Sequence, residues 1–181
     1  MARVTLSSLP PLSLPPLSPM RNPIRDYDWG SDSALARLQS RIPSGGPEAE
    51  LWMGAHPAAP SSLVVPAAVS ADGVIALPDA IAGDPEGVLG ADAVSRFGPR
   101  LPFILKILAI AKPLSVQVHP DAERAKAMHR EDGPSPYVDA HHKPEMLYAL
   151  EPTEALFGFR PAAQAVAAVP IAWAPLAAAA L

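Results

Sequence analysis

The chain has 181 residues, a formal net charge of -4, five histidines, 24 prolines and no cysteine. That length carries one domain with a real core, or one domain plus a piece of another, and mild acidity without a Lys/Arg block points away from nucleic acid and anionic membrane as partners. Without cysteine there are no disulfides and no thiolate ligands, so any metal bound here must use nitrogen and oxygen donors.

Residues 1–19 are rich in Leu, Ser and Pro, carry no charge beyond Arg3 and show no periodicity. Their prolines break the apolar run that a signal peptide needs, and the composition predicts a disordered extension. Ordinary globular sequence starts after Met20, which makes Met20 a second candidate start beside Met1. Residues 22–31 predict a short aromatic strand closing in a glycine turn, and Ser31 or Asp32 is placed to cap a short helix from Ala34 to Leu38. Ser44-Gly45-Gly46-Pro47 is a loop. Residues 48–57 predict a strand carrying Glu50, Trp52 and His56. Val64 and Val65 lie in a polar-poor connector over 60–71, and a short segment punctuated by glycine and proline follows over 76–89.

Residues 103–110 are the most apolar run, too short for a membrane span, and their β-branched content favours a buried strand. Lys106 interrupts it. A buried, unpaired lysine is costly, so Lys106 either snorkels outward or points into a pocket at phosphate or proton-transfer distance. From Leu114 to His119 apolar and polar residues alternate, which predicts a half-buried strand with Ser115, Gln117 and His119 on one face. At about 3.3 Å per residue, Gln117 and His119 stand about 6–7 Å apart, close enough for an amide oxygen and an imidazole nitrogen to converge on one metal ion. Pro120 ends that strand, and Asp121 is placed to cap a helix within 121–130. Residues 143–151 predict a strand with Lys143, Glu145 and Leu147 on one face, and 156–160 a last short strand. In the alanine-rich tail, Pro170 and Pro175 limit each helical piece to a couple of turns, too short and broken to span a membrane.

Six blocks in this order resemble the type I phosphomannose isomerases, zinc enzymes of the cupin superfamily. They are Tyr27-Asp28-Trp29-Gly30-Ser31, Glu50-Leu51-Trp52-Met53-Gly54-Ala55-His56-Pro57, Leu101-Pro102-Phe103-Ile104-Leu105-Lys106, residues 115–121, His142-Lys143-Pro144-Glu145-Met146, and Phe157-Gly158-Phe159-Arg160-Pro161. Gln-x-His-Pro followed by His-Lys-Pro-Glu is the specific part, since ordinary metal cupins use His-x-His on the corresponding strand. The resemblance implies a mainly β fold, a cupin (jelly-roll) domain with short helices, truncated before the family's helical insertion is complete. Residues 1–19 would be the extension, 20–161 the cupin-like catalytic-domain portion and 162–181 an incomplete Ala/Pro-rich helical tail.

The resemblance also implies one Zn2+ per chain, held by Gln117, His119 and Glu145, with the family's fourth ligand, a later histidine, absent from this sequence. Lys143 and Lys106 are its catalytic candidates, and Ser115, Trp29 and His56 its substrate contacts. From the residues alone, Gln117 and His119 read as a satisfied polar pair, Lys143 with Glu145 as a surface ion pair, and Trp29 as a core anchor. His129, His141 and the other tryptophans read as structural. The implied activity is interconversion of mannose 6-phosphate and fructose 6-phosphate by proton transfer through an enediol, feeding mannose and GDP-mannose metabolism in the cytoplasm. The alternative is a truncated, catalytically inactive cupin remnant that at most binds metal weakly. A hexose 6-phosphate is the expected partner, with no nucleic acid, no membrane, and self-association through uncovered strand edges.

Overall fold

A computed structural model describes residues 17–130, 137, 139–156 and 158–168, and the chain divides into two compact units, Met1–Leu114 and Ser115–Leu181. The expected extension over 1–19 and the tail beyond 168 fall almost wholly outside the described residues.

The first unit holds two three-stranded antiparallel sheets. In one, β1 (Met20–Arg21) and β5 (Val74–Ala76) flank β4 (Ser62–Val64). In the other, β2 (Ile24–Arg25) and β6 (Leu105–Leu108) flank β3 (Glu50–Met53). The strands expected over 48–57 and 103–110 are therefore present in shortened form, and they pair with each other. Their register sets Glu50 opposite Leu108, Leu51 opposite Ile107 and Trp52 opposite Lys106, while β2 sets Ile24 opposite Leu51 and Arg25 opposite Glu50.

Residues directly opposite in an antiparallel pair share a sheet face, and faces alternate along each strand. Ile24, Leu51 and Ile107 thus share one face, which packs with Leu35 and Ala109 into an apolar core. Arg25, Glu50, Trp52 and Lys106 share the other. This division of labour positions the charged groups of the unit.

Helix α1 (Ala34–Leu38) lays Leu35 against that core, and the Ser31 hydroxyl accepts from the backbone N–H groups of Ser33 and Ala34 at 3.3 and 3.1 Å. Ser31 therefore supplies the side-chain cap expected of Ser31 or Asp32, although Ser33 is the boundary residue. Gly30 precedes it in close approach: a Cβ there would lie 2.6 Å from the Ala49 backbone nitrogen, so only glycine fits. A second core gathers Leu63, Val65, Leu77, Ala80 and Ile81 between the β1-β4-β5 sheet and helix α2 (Leu77–Gly83). Short helices α3 (Pro85–Leu89) and α4 (Ala91–Phe97) follow, the first capped by the Asp84 carboxylate on the Gly87 N–H at 3.0 Å.

The second unit contains α5 (Ala122–Met128) and α6 (Ala162–Ala168). Asp121 caps α5 as expected, its carboxylate accepting from the Arg124 N–H at 2.8 Å. Strands were expected over 114–119, 143–151 and 156–160, and the described residues of all three are without strand structure. The reason is physical: a strand exists through its ladder partner, and no neighbouring strand bonds to these stretches among the described residues. Val116 and Val118 are accordingly 79% and 73% exposed rather than on a buried face. Among the described residues no helix is long and apolar enough to cross a membrane.

Candidate functional site

The charged face of the β2-β3-β6 sheet is the more buried of two residue groups. Glu50 and Trp52, two apart on β3, project the same way, and the indole Nε1–H donates to Glu50 Oε2 at 2.5 Å. Lys106 reaches across from β6 and donates to the same oxygen at 3.5 Å, with its Nζ 4.3 Å from the Trp52 ring centroid. The lysine in the apolar run is thus paired with a buried carboxylate and an aromatic face. On the other flank, the Arg25 guanidinium lies 5.6 Å from the Trp52 centroid and 5.5 Å from that of Tyr27.

Two expected substrate contacts flank this group in the first unit. The His56 ring stands edge-on to Trp52, with centroids 5.0 Å apart, and its Nδ1 accepts from the Ala58 N–H at 3.1 Å. That acceptor role places the proton of a neutral imidazole on Nε2. Trp29 stacks on Tyr27 at 5.8 Å, and its carbonyl accepts from Ala111 and Lys112. Trp52, read from sequence as structural, is the tryptophan that meets Lys106. The signal for it was present in the alternation of Glu50 and Trp52 on one strand, but its partner became identifiable only through the cross-strand register.

In the second unit, the expected metal residues form two contacts. His119 Nε2 lies 3.3 Å from Glu145 Oε2, and Lys143 Nζ lies 3.2 Å from the other carboxylate oxygen, Oε1. Gln117 donates from Nε2 to the Ser115 hydroxyl at 3.2 Å. Burial pushes the Glu145 carboxyl up, but the hydrogen bonds and charges of Lys143 and His119 outweigh it and leave it below the usual carboxylate range. His129 is engaged elsewhere, its Nδ1 3.2 Å from the Tyr137 carbonyl.

The donor set suits zinc in kind: imidazole nitrogen, carboxylate oxygen and amide oxygen, with no sulfur. Of the three, only His119 and Glu145 are brought together, at an ion-pair distance of 3.3 Å that two neighbouring ligands of a tetrahedral ion also adopt, whereas the Gln117 side chain contacts Ser115 instead. No group of three His, Cys, Asp or Glu side chains is gathered for a metal among the described residues.

Comparison with known proteins gives a consistent result. Residues 17–162 match the family model described as phosphomannose isomerase type I, catalytic domain. A mannose-6-phosphate isomerase from Ogataea parapolymorpha is 41% identical over 152 residues, covering 77% of this chain and 34% of the relative. One from Escherichia coli is 39% identical over 149 residues, covering 77% and 37%. Among solved structures, a mutant phosphomannose isomerase from Salmonella typhimurium superposes with a TM-score of 0.59 at 34% identity, covering 69% of this chain and 33% of that one. A zinc-bound mannose 6-phosphate isomerase superposes with a TM-score of 0.57 at 35% identity, covering 69% and 33%. The chain spans about a third of the length of the curated relatives it matches.

Proposed function

The chain belongs to the type I phosphomannose isomerase family, with that family's cupin fold, and from this membership we propose that it serves a zinc-dependent aldose–ketose isomerase acting on mannose 6-phosphate and fructose 6-phosphate. The observation that supports the reading is the His119–Glu145 pair, two potential donors 26 positions apart in sequence brought within 3.3 Å. Gln117, His119 and Glu145 are the residues that would hold the ion. When bound, a divalent cation supplies Lewis-acid polarisation of the sugar carbonyl.

The reaction moves one proton between C2 and C1. Removal of the C2 proton from the aldose forms the enediol, with a proton gained at O1; the ketose forms when O2 gives up its proton and C1 receives one. Each transfer needs a group within hydrogen-bond reach. Lys143, beside Glu145, is the acid–base candidate in the second unit. Lys106, paired with Glu50, brings fixed positive charge suited to a phosphorylated sugar. Ser115, Trp29 and His56 are proposed as sugar contacts. The same reading assigns the product to mannose and GDP-mannose supply in the cytoplasm.

A coupled assay of the full chain, loaded with zinc and given mannose 6-phosphate, tests the proposal. Turnover above blank that disappears in Glu145→Gln supports it. Zinc-loaded protein with no turnover leaves the chain a non-catalytic scaffold.

A further inference from the structure

Resting on that reading, we infer that Glu50 and Trp52 are positioning residues that hold the Lys106 ammonium ready for an anionic, phosphorylated ligand. Glu50 is 8% and Trp52 7% exposed, so this carboxylate has left bulk water and depends on the donors around it. Both donors, the Trp52 Nε1–H and the Lys106 ammonium, fall on one oxygen, Oε2. The indole therefore fixes the carboxylate, and the carboxylate with the indole face fixes the lysine. Backbone register reinforces the arrangement, because Trp52 and Lys106 are direct cross-strand partners.

An unconstrained lysine loses side-chain entropy when it is immobilised. Here that ordering precedes the ligand, which is the general advantage of a preorganised site. The ammonium has three N–H donors and Glu50 engages one, leaving two for a ligand. Arg25 shares the face, a second cation whose guanidinium stands 5.6 Å from the Trp52 ring centroid, with the charges of Asp26 and Glu50 both acting on it.

The test is competitive acetylation of the full chain with acetic anhydride, read by peptide mass spectrometry, with exposed Lys112 and Lys126 as internal references. Wild-type Lys106 should react at least fivefold more slowly than Lys112, and mannose 6-phosphate should slow it a further threefold. Glu50→Gln and Trp52→Phe should each close the gap to Lys112 at least threefold and abolish the sugar phosphate effect. A general loss of stability would change Lys126 in parallel, and thermal melts of both variants identify it. The inference is overturned if wild-type Lys106 reacts as fast as Lys112, if both variants leave the ratio unchanged, or if the sugar phosphate gives no protection. Protection of Lys106 in a chain without isomerase turnover would remove the isomerase reading while upholding this one.

Discussion

Both carboxylate oxygens of Glu48 are engaged by the guanidinium of Arg41, at 2.8 and 2.6 Å, in a two-pronged pair that ties the loop after α1 to the chain just before β3. The Ser44 N–H adds a third hydrogen bond at 3.2 Å. Glu48 is almost fully buried, and the Arg41 hydrogen bonds, acting against burial, hold its carboxyl down at about 2, from an ordinary 4.5. A carboxyl lowered in the folded state contributes stability that is complete above pH 4.5 and lost as pH falls toward 2. Thermal midpoints of wild type and Arg41→Met should therefore differ at pH 7, with wild type higher, and converge near pH 2. A constant offset across that range would show that the pair contributes nothing through this titration.

Gly30 makes the tightest approach to backbone among the described glycines. In Gly30→Ala the new methyl would meet the Ala49 backbone nitrogen, Cα and Cβ at 2.6, 2.7 and 2.8 Å. Backbone cannot yield as a flexible side chain does, so the expected destabilisation is about 1–3 kcal/mol by urea unfolding. An unchanged midpoint would mean that the Trp29–Gly30 turn has room the structure does not show.

Asp121→Ala removes the one side-chain cap of α5 and should cost about 1 kcal/mol locally. Hydrogen exchange reads it: the Ala125 and His129 amides, which bond to the Asp121 and Ala125 carbonyls, should exchange several-fold faster. Amides of β3 should not change. Equal acceleration in both units would show that the cap acts on the whole fold instead.

Several elements whose partners lie on the described chain were legible in sequence, whereas β4, in a stretch read as a polar-poor connector, was not. β3, β6, α1 and α5 were each anticipated from alternation, apolar content or caps, because Leu51, Ile107 and Leu35 find one another in a core. The alternation from Leu114 to His119 was just as regular and produced no strand. A period-two pattern reports what a strand would do with a neighbour, and no described segment hydrogen-bonds to this one as a ladder. Site residues divide in a similar way. Family resemblance singled out Gln117, His119 and Glu145, whereas no local pattern reveals that Trp52 and Glu50 grip Lys106. That contact depends on the pairing of two strands far apart in sequence.

His119 and Glu145 are proposed to share one cation, and metal content after exhaustive dialysis measures this most directly. Full-length chain loaded with zinc should retain about one ion, and Glu145→Gln at the same folded fraction should retain less than a tenth of that. Zinc held equally well by Glu145→Gln, or no zinc held by the wild-type chain, would contradict it.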